Sequence, residues 1–148
     1  MQRINWFPDP NITGTMQVFA PGHVKVDYLV VNNRRWIRAT STATGDSYAQ
    51  YTLSGAQIPP AGSYHVNANV YAQKGEAIFI VFVRVGGSYN MAVSVSVGDG
   101  QTVNVDRTFT IPSGCDQLLV RIGLNSETVS MIGMMSDILI ERADTGRF

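Results

Sequence analysis

Few side chains in this sequence could do chemistry, and their spacing limits what that chemistry could be. Hydrolysis of a glycosidic bond needs two carboxylates facing each other across a cleft. Here Asp27, Asp46, Glu76, Asp99, Asp106, Asp116, Glu127, Asp137, Glu141 and Asp144 are scattered, most of them in turns or on solvent-facing positions. Asp106 and Glu141 are the pair that neighbouring strands could bring together; the plainer reading of both is surface solvation. His23 and His65 are the only histidines, and no third ligand stands at a spacing suited to zinc. Cys115 follows Gly114 in a turn and reads as a semi-buried thiol, since a nucleophile would need a distant histidine as partner. Gly86-Gly87 and Gly98-Asp99-Gly100 read as hairpin turns rather than phosphate cradles, because no helix follows either one. No catalytic constellation is expected.

Binding is a different matter. His65, Asn67, Asn69 and Tyr71 alternate with apolar residues, so one sheet face would carry their donors, their acceptors and a ring. Hydroxyls and C–H faces of a sugar call for that combination. Trp36 and Arg38 join this surface if their hairpin pairs nearby; otherwise the row is an ordinary wet β-face. A second surface is apolar. Ile78, Ile80 and Phe82 cannot face the same core as Phe79, Val81 and Val83, and Leu29 and Val31 show a similar surplus. Either these strands are covered on both sides, or the extra set marks an interface.

The elements that must position these residues are strands. Apolar and polar residues alternate with period two from Val24 to Val30, from Trp36 to Thr40, from Ser63 to Gln73 and from Met91 to Val97. Further strands are expected at Tyr48–Leu53, Ala77–Val85, Val103–Ile111, Leu118–Leu124 and Met134–Glu141, about nine in all. Asn32-Asn33 is a turn signal, since Asn tolerates positive φ. Val129–Ile138 carries Met131, Met134 and Met135 at spacings that a helical turn could share, and it is read as strand from its context. Pro8, Pro10 and Pro21 make residues 1–22 an irregular amino-terminal arm. Residues 23–142 then form one sandwich, and residues 143–148 a tail.

Composition narrows the class further. The 148 residues suffice for one domain with a real core. Charged residues are 15% of the chain against about 25% in ordinary usage. Net charge is zero and no basic run occurs, so the footprint of a nucleic-acid binder is absent. A single cysteine excludes an intrachain disulfide. The opening MQRINWFPDPN has no apolar signal core, and no apolar run approaches membrane-spanning length. Synthesis in a reducing cytoplasm, without membrane insertion, is the expectation.

Four segments together resemble a known family. Asn5-Trp6-Phe7-Pro8-Asp9-Pro10, Ile58-Pro59-Pro60-Ala61-Gly62 with its tyrosine-led strand, Phe109-Thr110-Ile111-Pro112-Ser113-Gly114, and Ser136-Asp137-Ile138-Leu139-Ile140-Glu141 are similar to the opening, turns and closing strand of carbohydrate-binding-module-like jelly rolls. The resemblance implies an all-β, antiparallel jelly-roll β-sandwich. Such modules occur beside glycoside hydrolases and in virion proteins of tailed bacteriophages. It also implies a structural calcium, for which Asp137 is a candidate ligand, although Asn11-Ile12-Thr13-Gly14 replaces the family's acidic continuation.

Two functions follow as expectations. The first is a non-catalytic phage accessory protein on the virion exterior, capsid or tail. It would bind virion proteins, assemble as a homo-oligomer, and meet host cell-surface glycan. Its docking residues would be Trp6, Phe7, Ile78, Ile80, Phe82 and Phe148. The alternative is a free-standing carbohydrate-binding module that uses His65, Asn67, Asn69, Tyr71 and Trp36.

Overall fold

A computed structural model describes residues 4–14 and 16–143 of the chain. Ten strands follow one another: β1 Val18–Phe19, β2 Val24–Val31, β3 Arg34–Ser41, β4 Ser47–Ser54, β5 Gly62–Lys74, β6 Ala77–Val85, β7 Ser88–Val97, β8 Thr102–Ile111, β9 Cys115–Leu124 and β10 Ile132–Arg142. They form two antiparallel five-stranded sheets, in the orders β1-β4-β9-β6-β7 and β2-β3-β10-β5-β8. The fold is the expected all-β jelly-roll sandwich; of the methionine-rich segment, Ile132 onward is strand β10, whereas Val129, Ser130 and Met131 precede it.

Period two sets the layers. Ala49, Tyr51 and Leu53 of β4, Phe79, Val81 and Val83 of β6, and Leu118, Val120 and Ile122 of β9 face inward. They meet Tyr64, Val66, Ala68 and Val70 of β5 and Ile37 and Ala39 of β3. Each of the larger aliphatic and phenyl side chains among them contributes about 1.5–3 kcal/mol when moved out of water, so a one-residue slip of any of these strands is strongly disfavoured. Asn32 (φ 52°) and Asn33 (φ 62°) close the β2–β3 hairpin, the doubly left-handed turn that matches strand twist. Gly86 and Gly87 do the same between β6 and β7. Gly98-Asp99-Gly100 is not a hairpin turn as expected: it carries the chain from β7 in one sheet to β8 in the other.

The arm behaves differently from the expectation in two respects. It is not irregular throughout, because Val18–Phe19 pairs with Gln50 and Tyr51 as a short edge strand. Nor is Phe7 available for docking: it is 1% exposed and stands edge-on to Tyr51 in the core, ring centroids 5.1 Å apart. The arm is clipped to the last strand. Trp6 N donates to the Ile140 carbonyl (2.8 Å), Asn5 Nδ2 donates to the Ile138 carbonyl, and Asn5 Oδ1 accepts from Ile140 N. Ile12 is fully buried at φ 53°, a conformation a β-branched residue rarely adopts. Asp9 holds that loop by accepting from Thr13 N, Thr13 Oγ1 and Gly14 N at 2.7–3.0 Å. Burial raises the Asp9 carboxyl, and these hydrogen bonds outweigh it, leaving it below its ordinary value.

Candidate functional site

Both sheets have an outer face, and the two differ. On the β2-β3-β10-β5-β8 sheet, His65, Asn67, Asn69 and Tyr71 do line up along β5, all half-buried. The polar groups of His65, Asn67 and Asn69 are engaged by residues of the flanking strands β8 and β10. Asn104 on β8 donates to Asn67 Oδ1 (3.1 Å) and Asn69 Oδ1 (2.9 Å), and Asn69 Nδ2 donates to Asp137. His65 Nδ1 lies 3.8 Å from Asp106. Trp36 does reach Tyr71, with centroids 6.4 Å apart, but it is only 7% exposed and offers little ring face. Leu29, Val31, Trp36, Tyr71 and Met134 border a shallow depression of about 390 Å³. Arg38 is spent on a two-pronged pair with Asp27, whose carboxyl that hydrogen bond holds below its usual value.

Asp137 sits at an irregularity of β10 with φ 51° and points outward. Its carboxylate is taken by Arg34 Nε at 2.8 Å and by Asn69. Calcium asks for six to eight oxygens, and no cluster of three or more His, Cys, Asp or Glu suited to a metal exists among the described residues. A guanidinium and an amide NH2 beside one carboxylate do not fit that ion.

No catalytic pairing emerges from the other candidates. Asp106 and Glu141 lie on β8 and β10 with β5 between them, out of register by two residues, on an open face. The Ser47 hydroxyl donates to the Gly45 carbonyl, so His23 Nε2, 3.0 Å from it, is the donor in their contact. A base-activated nucleophile needs the reverse polarity. Cys115 Sγ is half-buried against the Gln117 carbonyl.

The other outer face, on β1-β4-β9-β6-β7, holds a groove. Register builds it row by row. Gln50 on β4 lies opposite Arg121 on β9, which lies opposite Ile80 on β6; the next row is Thr52, Leu119, Phe82 and Met91. Tyr48, Gln50, Phe82, Tyr89, Leu119 and Arg121 line a groove of about 400 Å³. At its centre the Arg121 guanidinium lies 3.8 Å from the Tyr48 ring centroid and 4.9 Å from that of Phe82. Gln50 Oε1 accepts from both Nε (3.0 Å) and Nη2 (2.7 Å) of Arg121. Ring–cation contacts of this kind contribute about 0.5–2 kcal/mol each and fix the plane of the guanidinium. Tyr89 is 55% exposed at the rim, with Arg84 over its ring and its hydroxyl donating to Gln117. Gly123 keeps the neighbouring row low, since a Cβ there would fall 2.8 Å from Ile78 Cγ2.

Of the apolar residues predicted for docking, Ile78 and Phe82 lie half-exposed on this face. Ile80, opposite Arg121, is 7% exposed and therefore forms floor rather than contact surface. Trp6 is half-buried against the core, and Phe148 lies outside the described residues. Tyr48, Gln50, Tyr89, Leu119 and Arg121 were not singled out from sequence. The signals available were the Tyr-x-Gln alternation at Tyr48–Gln50 and a lone cation inside the apolar run Leu118–Leu124.

No protein-family model matches the chain, and no curated protein matches it. Solved structures do. The carbohydrate-binding module TmCBM61, determined with β-1,4-galactotriose, superposes with a TM-score of 0.62 at 17% identity, over 94% of this chain and 99% of that one. The C-terminal family 22 carbohydrate-binding module of Clostridium thermocellum Xyn10B gives 0.66 at 17% identity, over 99% and 95%. The enzymatically active domain of bacteriophage CBA120 tailspike protein 4 gives 0.58 at 14% identity, over 93% of this chain and 21% of that one. What these structures share with this chain is its fold, a carbohydrate-binding-module-like jelly roll.

Proposed function

We propose that this chain is a non-catalytic glycan-binding module that lays a polysaccharide strand along the groove over β4, β9, β6 and β7. The observation that carries the reading is the stack of Tyr48, Arg121 and Phe82, with Gln50 and an exposed Tyr89, on an open sheet face. Aromatic faces suit the C–H side of a pyranose, while amide and guanidinium groups suit its hydroxyls. The carbohydrate-binding neighbours support this reading, and the row His65, Asn67, Asn69, Tyr71 and Trp36 is the weaker candidate because its amides are taken up by Asn104 and Asp137. The test is calorimetric titration with neutral xylo- and galacto-oligosaccharides and a panel of bacterial surface polysaccharides. Tyr48→Ala and Phe82→Ala should each weaken binding about two- to tenfold, while Tyr71→Ala should leave it unchanged. The reverse pattern would move the site to the opposite face.

A second reading places the module on a phage particle, capsid or tail, where it would bind virion proteins and meet host glycan. The tailspike domain of like fold supports it, as do the half-exposed Ile78 and Phe82 and the exposed Met91 on the same face. Light scattering distinguishes the two: a discrete homo-oligomer that binds no glycan would favour assembly on this face, and a glycan-binding monomer the module.

A further inference from the structure

Arg121 rises from the middle of the apolar strand β9 into the groove, and it enters no ion pair among the described residues. None of the residues lining the groove is acidic. The nearby Arg84 differs in this respect, with Asp116 at 3.8 Å. A half-buried charge without a counter-charge is costly, so an uncompensated guanidinium on a binding face calls for a ligand that supplies the missing charge. Its geometry narrows which ligand. Gln50 Oε1 occupies the Nε–H and one Nη2–H, and Tyr48 and Phe82 clamp the plane. The two Nη1–H and the second Nη2–H have no protein acceptor among the described residues, and one Nη1–H lies parallel to that Nη2–H, a two-pronged fork at the end of the guanidinium. That fork matches the two oxygens of a planar carboxylate.

We propose that Arg121 reads a carboxylate on the bound sugar, making the ligand class a polysaccharide that bears uronic acids. The inference rests on the groove being the glycan site, and it adds the charge of the ligand to that reading. Tyr48 and Phe82 position the guanidinium, Gln50 orients it, and the exposed Tyr89 packs on the adjoining sugar ring.

The experiment titrates the whole chain with four oligosaccharides of matched length: an oligogalacturonate, its methyl ester, a neutral xylo-oligosaccharide and a sulfated neutral galactan. The methyl ester keeps the sugar and removes the charge, so the comparison needs no variant. The acid should bind about ten- to a hundredfold more tightly than the ester. Added salt should weaken the acid and leave the ester alone. Arg121→Gln should abolish the difference, and Arg121→Lys should restore only part of it because the fork is lost. Equal binding of acid and ester, or a preference for the sulfated galactan, would overturn the inference while leaving the groove reading intact. Absence of binding to all four would overturn both.

Discussion

Phe7→Ala is the most direct way to ask whether the amino-terminal arm belongs to the sandwich or is an appendage. The ring is 1% exposed and edge-on to Tyr51, at an interplanar angle of 84°. Deleting a buried phenyl group costs about 3–5 kcal/mol, from lost transfer energy plus the cavity left behind. The backbone around it is held by Trp6 N to Ile140, by both ends of the Asn5 amide and by Asp9, so the site cannot easily collapse. That places the expected loss in the upper half of the range, about 4–5 kcal/mol. For a domain of this size each kcal/mol lowers Tm by about 2–4 °C, which gives a fall of roughly 8–20 °C. Urea unfolding followed by the fluorescence of Trp6 and Trp36 reports it, with an unchanged slope showing that the unfolding reaction is the same. Phe19→Ala is the control: that ring is 56% exposed and should cost less than about 1 kcal/mol. A loss below about 1 kcal/mol for Phe7→Ala as well would refute the claim that the arm is part of the core.

Two further outcomes follow from the same packing and charge arguments. Gly133→Ala should destabilise by about 1–3 kcal/mol, because the new Cβ would stand 2.8 Å from Leu124 Cδ2 and 3.1 Å from Ile122 Cγ1; Gly22→Ala, in open space, should not, and equal effects in urea melts would contradict it. Stability should fall in acid: Asp9 and Asp27 both lie below the ordinary 3.8 in the folded chain, so the unfolded chain binds more protons as pH drops. The urea midpoint should therefore hold above about pH 5 and decline through pH 4 and below, less steeply in Asp9→Asn, and a flat profile would contradict the sign.

The strands were legible because burial on one side imposes period two on local sequence. Ala77–Val85 was found to its ends, and Asn32-Asn33 announced its turn through two residues that tolerate positive φ. What followed a turn was not legible. Gly98-Asp99-Gly100 has hairpin chemistry, yet whether the next strand pairs or crosses to the other sheet depends on partners far along the chain. The groove shows the same limit. Arg121 and Gln50 are 71 residues apart, and only the β4–β9 register makes them one unit. The row His65 to Tyr71 shares one face, as its alternation implied, but the neighbour that engages its amides, Asn104, comes from β8. For Phe7 the prolines identified an arm and left open where its ring would go.

The order in which the chain is made meets the order in which it pairs at β10. This strand is the last of the ten in sequence and the middle one of its sheet, between β3 and β5, and it also receives the Asn5 clip. Until residues 132–142 leave the ribosome, β3 and β5 have no shared neighbour, and Asn5 and Trp6 lack the strand that clips them. The nascent sandwich therefore waits with an open seam down one sheet, an edge able to pair with another chain. A chain stopped short of β10 is not a slightly weakened module but a half-built one with a sticky interior edge. Completion of that sheet therefore falls to the last of the ten strands.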